Sequence, residues 1–305
     1  MHLIMVGACY LDTILSIPHF PEQDAKLRAT SLNVRRGGNC GNALEVLQQF
    51  LPPPPPPPTP PPSSAAAAAL SSPPPPPPPH HHLNPHLVTV LPGRQSAATA
   101  KVLSSFGPET PVDLSYSVHR DDQTEAASSY ILHDQQTGSR TIVNHNGLAD
   151  MTADEFVGIA EAFRGEEAET WWHFEGRITE TLLECIHYLR RHLPRARVSV
   201  EVEKPKRDGL RELAAEADVV FYSRSWAEGE GYTSSEACLT GEVGRTTRPA
   251  VGAGDTFVAG MLYGLLCRTG DWDLQRMVRF AVDLATTKIQ QDGFGGLASK
   301  LSPAG

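Results

Sequence analysis

The sequence predicts an α/β fold with a mainly parallel central sheet, helices on both faces and a second, smaller sheet. Strand-like and helix-like segments alternate from Asp154 onward, a pattern typical of a parallel sheet that is covered on both sides. The apolar run at 3–9 is too short for a signal peptide and predicts a buried first strand. Two further strands, at 128–132 and 140–143, are joined by a polar turn and predict the smaller sheet.

The remaining elements are predicted from hydrophobic spacing. Residues 26–34 predict a half-exposed strand that joins the smaller sheet, and a helix follows from about 40 to 50. A strand at 87–90 and a helix at 98–106 come next. The second half alternates helices with strands and closes with two long helices: the helices lie at 154–163, 179–193, 208–217, 255–268 and about 273–290, and the strands at 171–175, 197–202 and 219–222.

The composition limits the classes of partner. The chain has 305 residues, a formal net charge of −9, and 40% hydrophobic and 20% charged residues, which is ordinary for a globular protein. An acidic chain lacks the basic face of a general nucleic-acid binder, so we expect no nucleic-acid partner. No apolar run approaches the ~20 residues that cross a bilayer, so we expect no membrane association. Five scattered cysteines without a Cys-x-x-Cys pair argue against a zinc site or a disulfide framework and favour a cytoplasmic location.

Residues 51–86 form a low-complexity stretch of proline, alanine and histidine. Proline fixes φ and cannot donate to a β-ladder, so we expect a disordered surface insertion without a catalytic role. Docking of a proline-recognising domain is the alternative. The three histidines at 80–82 are adjacent in this stretch, which makes them a poor preformed metal site.

The most informative motif lies at 249–257, where small residues and a carboxylate directly precede a helix. The helix is predicted by apolar residues that recur three and four positions apart. Its first amides carry partial positive charge and can hold an anion, and Gly252 and Gly254 let the backbone approach a phosphate. Asp255 is then placed to take a proton from an attacking hydroxyl. The structural alternative is that Asp255 caps the helix and the glycines form a turn.

The segment 252–257 resembles the signature of the ribokinase-type, or PfkB, sugar and nucleoside kinases. Other stretches resemble the ketohexokinase branch of that family and occur in the same order along the chain; they lie at 36–42, 137–142, 172–177, 198–205 and 290–294. The resemblance implies one ribokinase-like domain over 1–305, in which strands from about 24–36 and 125–145 form a lid.

The same resemblance implies an activity. It points to ATP-dependent phosphorylation of a ketohexose such as fructose at a primary hydroxyl, with ribose or adenosine as the nearest alternative substrates. ATP and Mg²⁺ are the implied cofactors, and a monovalent cation such as K⁺ is a further candidate. Two copies of the chain are expected to pair through their lid strands as a homodimer.

Individual residues receive roles from the resemblance. Asp255 becomes the catalytic base. The anion hole and the ATP contacts are assigned to Gly252, Ala253, Gly254 and Arg140. The sugar contacts are assigned to Asp12, Gly38, Asn39, Asn42, Glu175 and Asp255. Amide side chains both donate and accept hydrogen bonds, which suits a neutral polyol.

Several of these residues have a structural alternative. Asp12 follows the first strand, where ligands collect in open α/β sheets, yet an aspartate there could also cap a turn. Arg140 could be a solvated strand residue, whereas a capping role for Asn39 is compatible with sugar binding. His173 is expected in the core. Lys204 either lies near the phosphates or belongs to a solvated charge cluster with Glu201, Glu203 and Lys206.

The chain departs from the family pattern between 239 and 250. Relatives carry further sheet strands and part of the nucleotide pocket there, whereas residues 240–250 contain no strand-like run, and Pro249-Ala250 replaces the usual Asp-Thr. Missing strands expose ladder groups and apolar faces, which destabilises a sheet. The alternative function is therefore a truncated or degenerate family member that binds sugar or dimerises without efficient ATP turnover. We expect the sugar side of the pocket to be better preserved than the nucleotide side.

Overall fold

The computed structural model describes residues 1–52, 82–165, 169–242, 249–251 and 254–301. Most of the predicted proline-rich insertion and two residues of the predicted anion hole, Gly252 and Ala253, lie outside the described residues. The strands, in chain order, are β1 (His2–Val6), β2 (Tyr10–Ile17), β3 (Ser31–Gly37), β4 (Asn84–Val88), β5 (Val90–Pro92), β6 (Val118–Arg120), β7 (Ser128–Asp134), β8 (Arg140–His145), β9 (Thr170–Glu175), β10 (Arg197–Val202), β11 (Val219–Tyr222) and β12 (Pro249–Val251).

The helices alternate with these strands in the second half of the chain. They are α1 (Asn39–Leu47), which a 3₁₀ turn at Gln48–Phe50 extends, α2 (Ala97–Ser104), α3 (Ala153–Glu161), α4 (Thr179–His192), α5 (Leu210–Glu216), α6 (Arg224–Gly229), α7 (Ser235–Glu242), α8 (Asp255–Cys267), α9 (Leu274–Ile289) and α10 (Leu297–Lys300). Among the described residues, no helix is long and apolar enough to span a membrane.

Within the described ranges, six parallel strands form the central sheet in the order β12-β11-β10-β9-β1-β4. Side chains alternate across a strand, so β1 sends Leu3 and Met5 to one face and Ile4 and Val6 to the other. The first face packs against α1, α8 and α9, and the second against α3, α4 and α5. Because both faces are covered, most residues of the central strands are buried and apolar, as the sequence predicts for a parallel sheet.

The smaller sheet has the order β3-β2-β7-β8. β2 pairs antiparallel with β3 and parallel with β7, and β7 pairs antiparallel with β8. The strand predicted from residue 26 begins at Ser31, and β2 was not predicted at all. The reason is that the apolar residues of β2 do not alternate strictly with polar ones, and most of its side chains are half-buried on both faces.

Two further expectations about boundaries were wrong. Residues 249–251 form β12, although 240–250 was expected to hold no strand. A three-residue strand is too short to show a period, and pairing with β11 at the edge of the sheet, where a proline is tolerated, accounts for it. Residues 84–86 belong to β4 and not to the low-complexity stretch, because Pro85 and His86 are buried against the core.

Candidate active site

Polar side chains gather at the carboxyl edge of the central sheet, beneath the smaller sheet. β9 and β10 end there in Glu175 and Val202, and the helices α1 and α8 begin there at Asn39 and Asp255. This is the edge at which ligands bind in open α/β sheets. The chain enters α8 through Gly254, whose φ of 82° lies in the left-handed region that favours glycine.

Asp255 is the first residue of α8 and is partly buried. Burial and, to a smaller extent, the charge of Glu203 raise the pKa of this carboxyl to about 6, against the opposing effect of a hydrogen bond from Asn42. The Asn42 Nδ2 donates to Asp255 Oδ2 at 2.7 Å. A carboxylate with a pKa near neutrality is suited to general base catalysis.

Arg36, at the end of β3, supports Asn42 from the other side. Its Nη1 donates to Asn42 Oδ1 at 3.2 Å, and its side chain is only 1% exposed. The guanidinium also pairs with Glu45 and lies 4.3 Å from the centre of the Phe106 ring. We did not predict Arg36 as a site residue, although it opens the 36–42 stretch. A lone arginine on a half-exposed strand carries no signal of burial in the sequence.

Two glutamates at the same edge are also buried. Burial raises the pKa of Glu175 to about 7, although Arg177 lies 3.6 Å away and the Ala8 amide donates to Glu175 Oε2 at 2.9 Å. Burial raises the pKa of Glu201 well above its usual range, and the charges of Asp255 and Glu175 add to this effect. One of the two interpretations of the sequence placed Glu201 in a solvated cluster, but Glu201 is buried and accepts a hydrogen bond from Asn39 Nδ2 at 3.1 Å. Because side chains alternate along β10, Glu201 points to the face of the sheet that α1 covers.

The structure places Asp12 on β2, in the wall formed by the smaller sheet. Burial raises the pKa of its carboxyl, while a hydrogen bond with Ser129 and the charge of Arg35 oppose the rise. Gly37 lies directly against Asp12, where an added Cβ would collide with the carboxylate. Gly38 has a φ of 105°, and its backbone approaches the Ala8 carbonyl too closely for a Cβ. Both glycines therefore allow the chain to pass close to Asp12 and the end of β1.

A large cleft of about 1120 Å³ lies between the smaller sheet, α2 and the segment after α9. Its walls carry the cations Arg35, Arg140 and Lys288, with Arg140 exposed on β8. Burial and the charge of Arg35 lower the pKa of Lys288. Arg35 and Lys288 lie 5.9 and 4.9 Å from the centre of the Phe294 ring. Cations that line the same cleft favour an anionic ligand there.

Within the described part of the chain, the buried Arg35 Nε has no hydrogen-bond partner. The same ranges contain no group of three or more His, Cys, Asp or Glu side chains that could hold a metal ion. His173 is buried as expected, and burial lowers its pKa to about 3, so it is neutral. Lys204 is exposed and lies 3.7 Å from Glu203 Oε1, which favours the charge-cluster interpretation for this residue.

Known carbohydrate kinases resemble this chain in sequence and in fold. Residues 244–300 match the family described as pfkB family carbohydrate kinase. The ketohexokinase of Mus musculus is 25% identical over 97% of this chain and 98% of its own length. Two solved ribokinases share the fold. That of Thermotoga maritima has a TM-score of 0.65 at 12% identity, covering 97% of this chain and 95% of its own. The Arabidopsis thaliana ribokinase complexed with ribose and ATP has a TM-score of 0.64 at 13% identity, covering 95% and 93%.

The fold is ribokinase-like, and these matches indicate a sugar kinase. Within that class the chain is similar to a ketohexokinase over nearly its whole length and to the PfkB carbohydrate kinases over residues 244–300, as the sequence resemblance predicts.

Proposed function

We propose that the protein transfers the γ-phosphoryl group of ATP to a primary hydroxyl of a ketohexose such as fructose. One observation carries the proposal: a carboxylate with a pKa of about 6, Asp255, begins the helix α8 at the carboxyl edge of the central sheet. Asn42, on the proposed sugar side, donates a hydrogen bond to this carboxylate, and the charge of Asp255 acts on Lys288 in the cleft wall. The similarity to a ketohexokinase supports the choice of a ketohexose.

In this proposal Asp255 takes the proton of the attacking sugar hydroxyl. The hydroxyl oxygen bonds to the γ-phosphorus as the bond from the γ-phosphorus to ADP breaks and ADP leaves. The amides of Gly252, Ala253 and Gly254 would hold the transferring group at the start of α8, where the helix dipole favours negative charge. Of these three, Gly254 lies within the described residues, directly before α8. Phosphoryl transfer depends mainly on position and charge, which this arrangement would supply.

On the sugar side, we assign substrate contacts to Asp12, Gly38, Asn39, Asn42 and Glu175. Both asparagines are held by carboxylates, Asn42 by Asp255 and Asn39 by Glu201. An amide nitrogen carries two N–H groups, so each asparagine keeps a donor for a sugar hydroxyl. Glu175, with a pKa of about 7, can either donate or accept at neutral pH.

On the nucleotide side, we assign the triphosphate to the cleft, where Arg140, Arg35 and Lys288 supply positive charge. The partnerless Nε of Arg35 among the described residues supports an anionic ligand there. Mg²⁺ is commonly held by phosphate oxygens and water with few protein ligands. That fits the lack of an acidic cluster in the described ranges. We assign no residue to Mg²⁺ or to K⁺.

A coupled assay for ADP release across a sugar panel tests the proposal. Fructose should give sugar-dependent turnover, and ribose or adenosine should give less. Folded protein without turnover on any sugar would refute the activity. Faster turnover of ribose or adenosine would leave the protein a kinase and change its substrate.

A second candidate function is a family member that binds sugar without efficient ATP turnover. The observation that favours it is that the three-residue strand β12 ends the central sheet of the described residues, where the family resemblance implies further strands. Calorimetry separates the two functions. Fructose binding without measurable ATP binding would support the second function, and binding of both ligands would support the kinase.

We also propose a homodimer through the smaller sheet. Register places Leu32, Tyr130 and Val143 on one face of this sheet, and they are 65, 54 and 64% exposed. Introducing charge on this face, as in Tyr130→Arg, should convert a dimer to a monomer in analytical ultracentrifugation.

The five cysteines, all among the described residues, are free, which supports a cytoplasmic location.

A further inference from the structure

We propose that Arg36 is a positioning residue, which fixes the orientation of the Asn42 amide so that its NH₂ group faces Asp255. The inference rests on the proposed role of Asp255 as the base. It concerns a residue outside the predicted sugar and nucleotide contacts, and it accounts for a buried arginine next to an otherwise acidic site.

The donor and acceptor rules decide the orientation of the amide. Asn42 lies between Arg36 Nη1 at 3.2 Å and Asp255 Oδ2 at 2.7 Å. A guanidinium can only donate hydrogen bonds, and an ionised carboxylate can only accept them. An amide between the two therefore has one arrangement, with its oxygen toward Arg36 and its nitrogen toward Asp255. That arrangement stabilises the ionised, proton-accepting form of the base.

The surroundings leave the guanidinium no alternative position. Its Nε donates to Ser105 Oγ at 3.0 Å, its Nη2 pairs with Glu45, and its plane lies over Phe106. Gly41 packs against the guanidinium, where an added Cβ would overlap Arg36 Nη1. The glycine at the third position of α1 thus makes room for the arginine, and the arginine in turn orients the side chain of the residue after that glycine.

Losing Arg36 would change the base in two ways. The Asn42 amide could turn over and present its oxygen to Asp255, which favours the protonated carboxyl. A positive charge would also be lost from a mostly acidic environment. The titratable groups that interact with Asp255 from the surrounding elements are Arg36 on β3, Cys40 on α1, Glu175 on β9, Glu201 on β10, Glu203 after β10 and Lys288 on α9. Three of these six are glutamates, and without Arg36 the one cation left among them is Lys288, which cannot compensate.

The test compares Arg36→Met, Arg36→Lys and Gly41→Ala with the wild-type protein. Gly41→Ala displaces the guanidinium without removing it. The matched control is Arg190→Met, because Arg190 also makes several hydrogen bonds but lies at the opposite edge of the sheet. Two readouts are used: the pH profile of kcat/KM for fructose, and the titration of ¹³C-labelled aspartate carboxyls, with the Asp255 signal assigned through Asp255→Asn.

In Arg36→Met we expect the Asp255 midpoint to rise by about one pKa unit, with kcat falling about fivefold more at pH 6 than at pH 8 and the KM for fructose little changed. Gly41→Ala should shift it in the same direction, Arg36→Lys should shift it less, and Arg190→Met should leave it in place. If Arg36→Met does not fold, Gly41→Ala and Arg36→Lys carry the test.

A folded Arg36→Met or Gly41→Ala variant with the wild-type midpoint and pH profile would overturn the proposal. The carboxyl titration does not depend on turnover. A shifted midpoint in a protein that phosphorylates no sugar would therefore support the positioning role of Arg36 and refute the kinase activity separately.

Discussion

The two edges of the central sheet both carry hydrogen-bonded charged groups, which are half-buried at the amino edge and more deeply buried at the carboxyl edge. At the amino edge, Arg190 donates to Asp218 Oδ2 at 3.1 Å and to the Glu216 carbonyl at 2.6 Å. Asp218 also accepts the amide of Val198 at 2.7 Å. At the carboxyl edge, Glu175 and Glu201 lie close enough to Asp255 that the negative charges raise one another's pKa.

The difference distinguishes an amino edge whose charged groups stabilise the fold from a carboxyl edge whose carboxyl groups are suited to chemistry. A buried carboxylate costs free energy unless it is paired, so crowding acids without enough cations opposes folding. Perturbed carboxyls of this kind cluster at functional sites. The amino edge resembles an ordinary structural network, in which charge is matched by charge. The carboxyl edge has carboxyl groups without enough cationic partners, and these groups can interact with a substrate.

The largest effect is expected from a substitution that removes the proposed catalytic base at the carboxyl edge. Asp255→Asn should lower kcat by about a hundredfold to ten-thousandfold, because the amide cannot accept the hydroxyl proton. Asp218→Asn, the matched change at the amino edge, should leave kcat near the wild-type value. Steady-state kinetics with fructose and ATP measure both. Similar kcat values for the two variants would remove the functional distinction between the edges.

The next prediction concerns stability and its dependence on pH. The folded-state pKa of Glu175 is about 7, above its ordinary value, so the folded protein binds the extra proton between the two. Stability therefore falls as pH rises through this window, and the cost is complete above pH 7. Glu175→Gln should raise the free energy of unfolding at pH 8 by on the order of 1–3 kcal/mol, with a smaller gain at pH 5.

The opposite sign is expected at the amino edge. Asp218→Ala leaves a donor of Arg190 and the Val198 amide without their acceptor, which should cost about 1–2 kcal/mol at every pH where the protein folds. Urea denaturation at several pH values measures both this variant and Glu175→Gln. Destabilisation by Glu175→Gln at pH 8 would contradict the proposed difference between the edges.

A smaller effect separates the nucleotide side from the sugar side. Lys288→Met should raise the KM for ATP about tenfold, because a cation is removed from the cleft, and leave the KM for fructose nearly unchanged. Lys300→Met is the control, since this lysine lies nearby on α10 but does not line the cleft. Equal changes for both variants would argue against triphosphate binding in the cleft.

Periodicity in the sequence predicts the buried parallel strands and the longer helices of the second half, because these elements carry strong patterns, but it misses the short helices α6 and α7. It misses β2, whose half-buried side chains do not alternate, and β12, which is too short to show a period. Motifs in the sequence point to Asp255 and Asn42. The burial of Arg36 and Glu201 depends instead on packing between distant elements, and the contact between Glu201 and Asn39 joins residues more than 100 positions apart. No local pattern records such a contact.

The pH dependence of kcat/KM for fructose in the wild-type protein tests the central claim most directly. If Asp255 is the base, kcat/KM should rise with pH through a midpoint of about 6, and Asp255→Asn should abolish this limb together with most of the turnover. A wild-type profile that is flat from pH 5 to 8, or a substantial rate with an unchanged limb in Asp255→Asn, would contradict it.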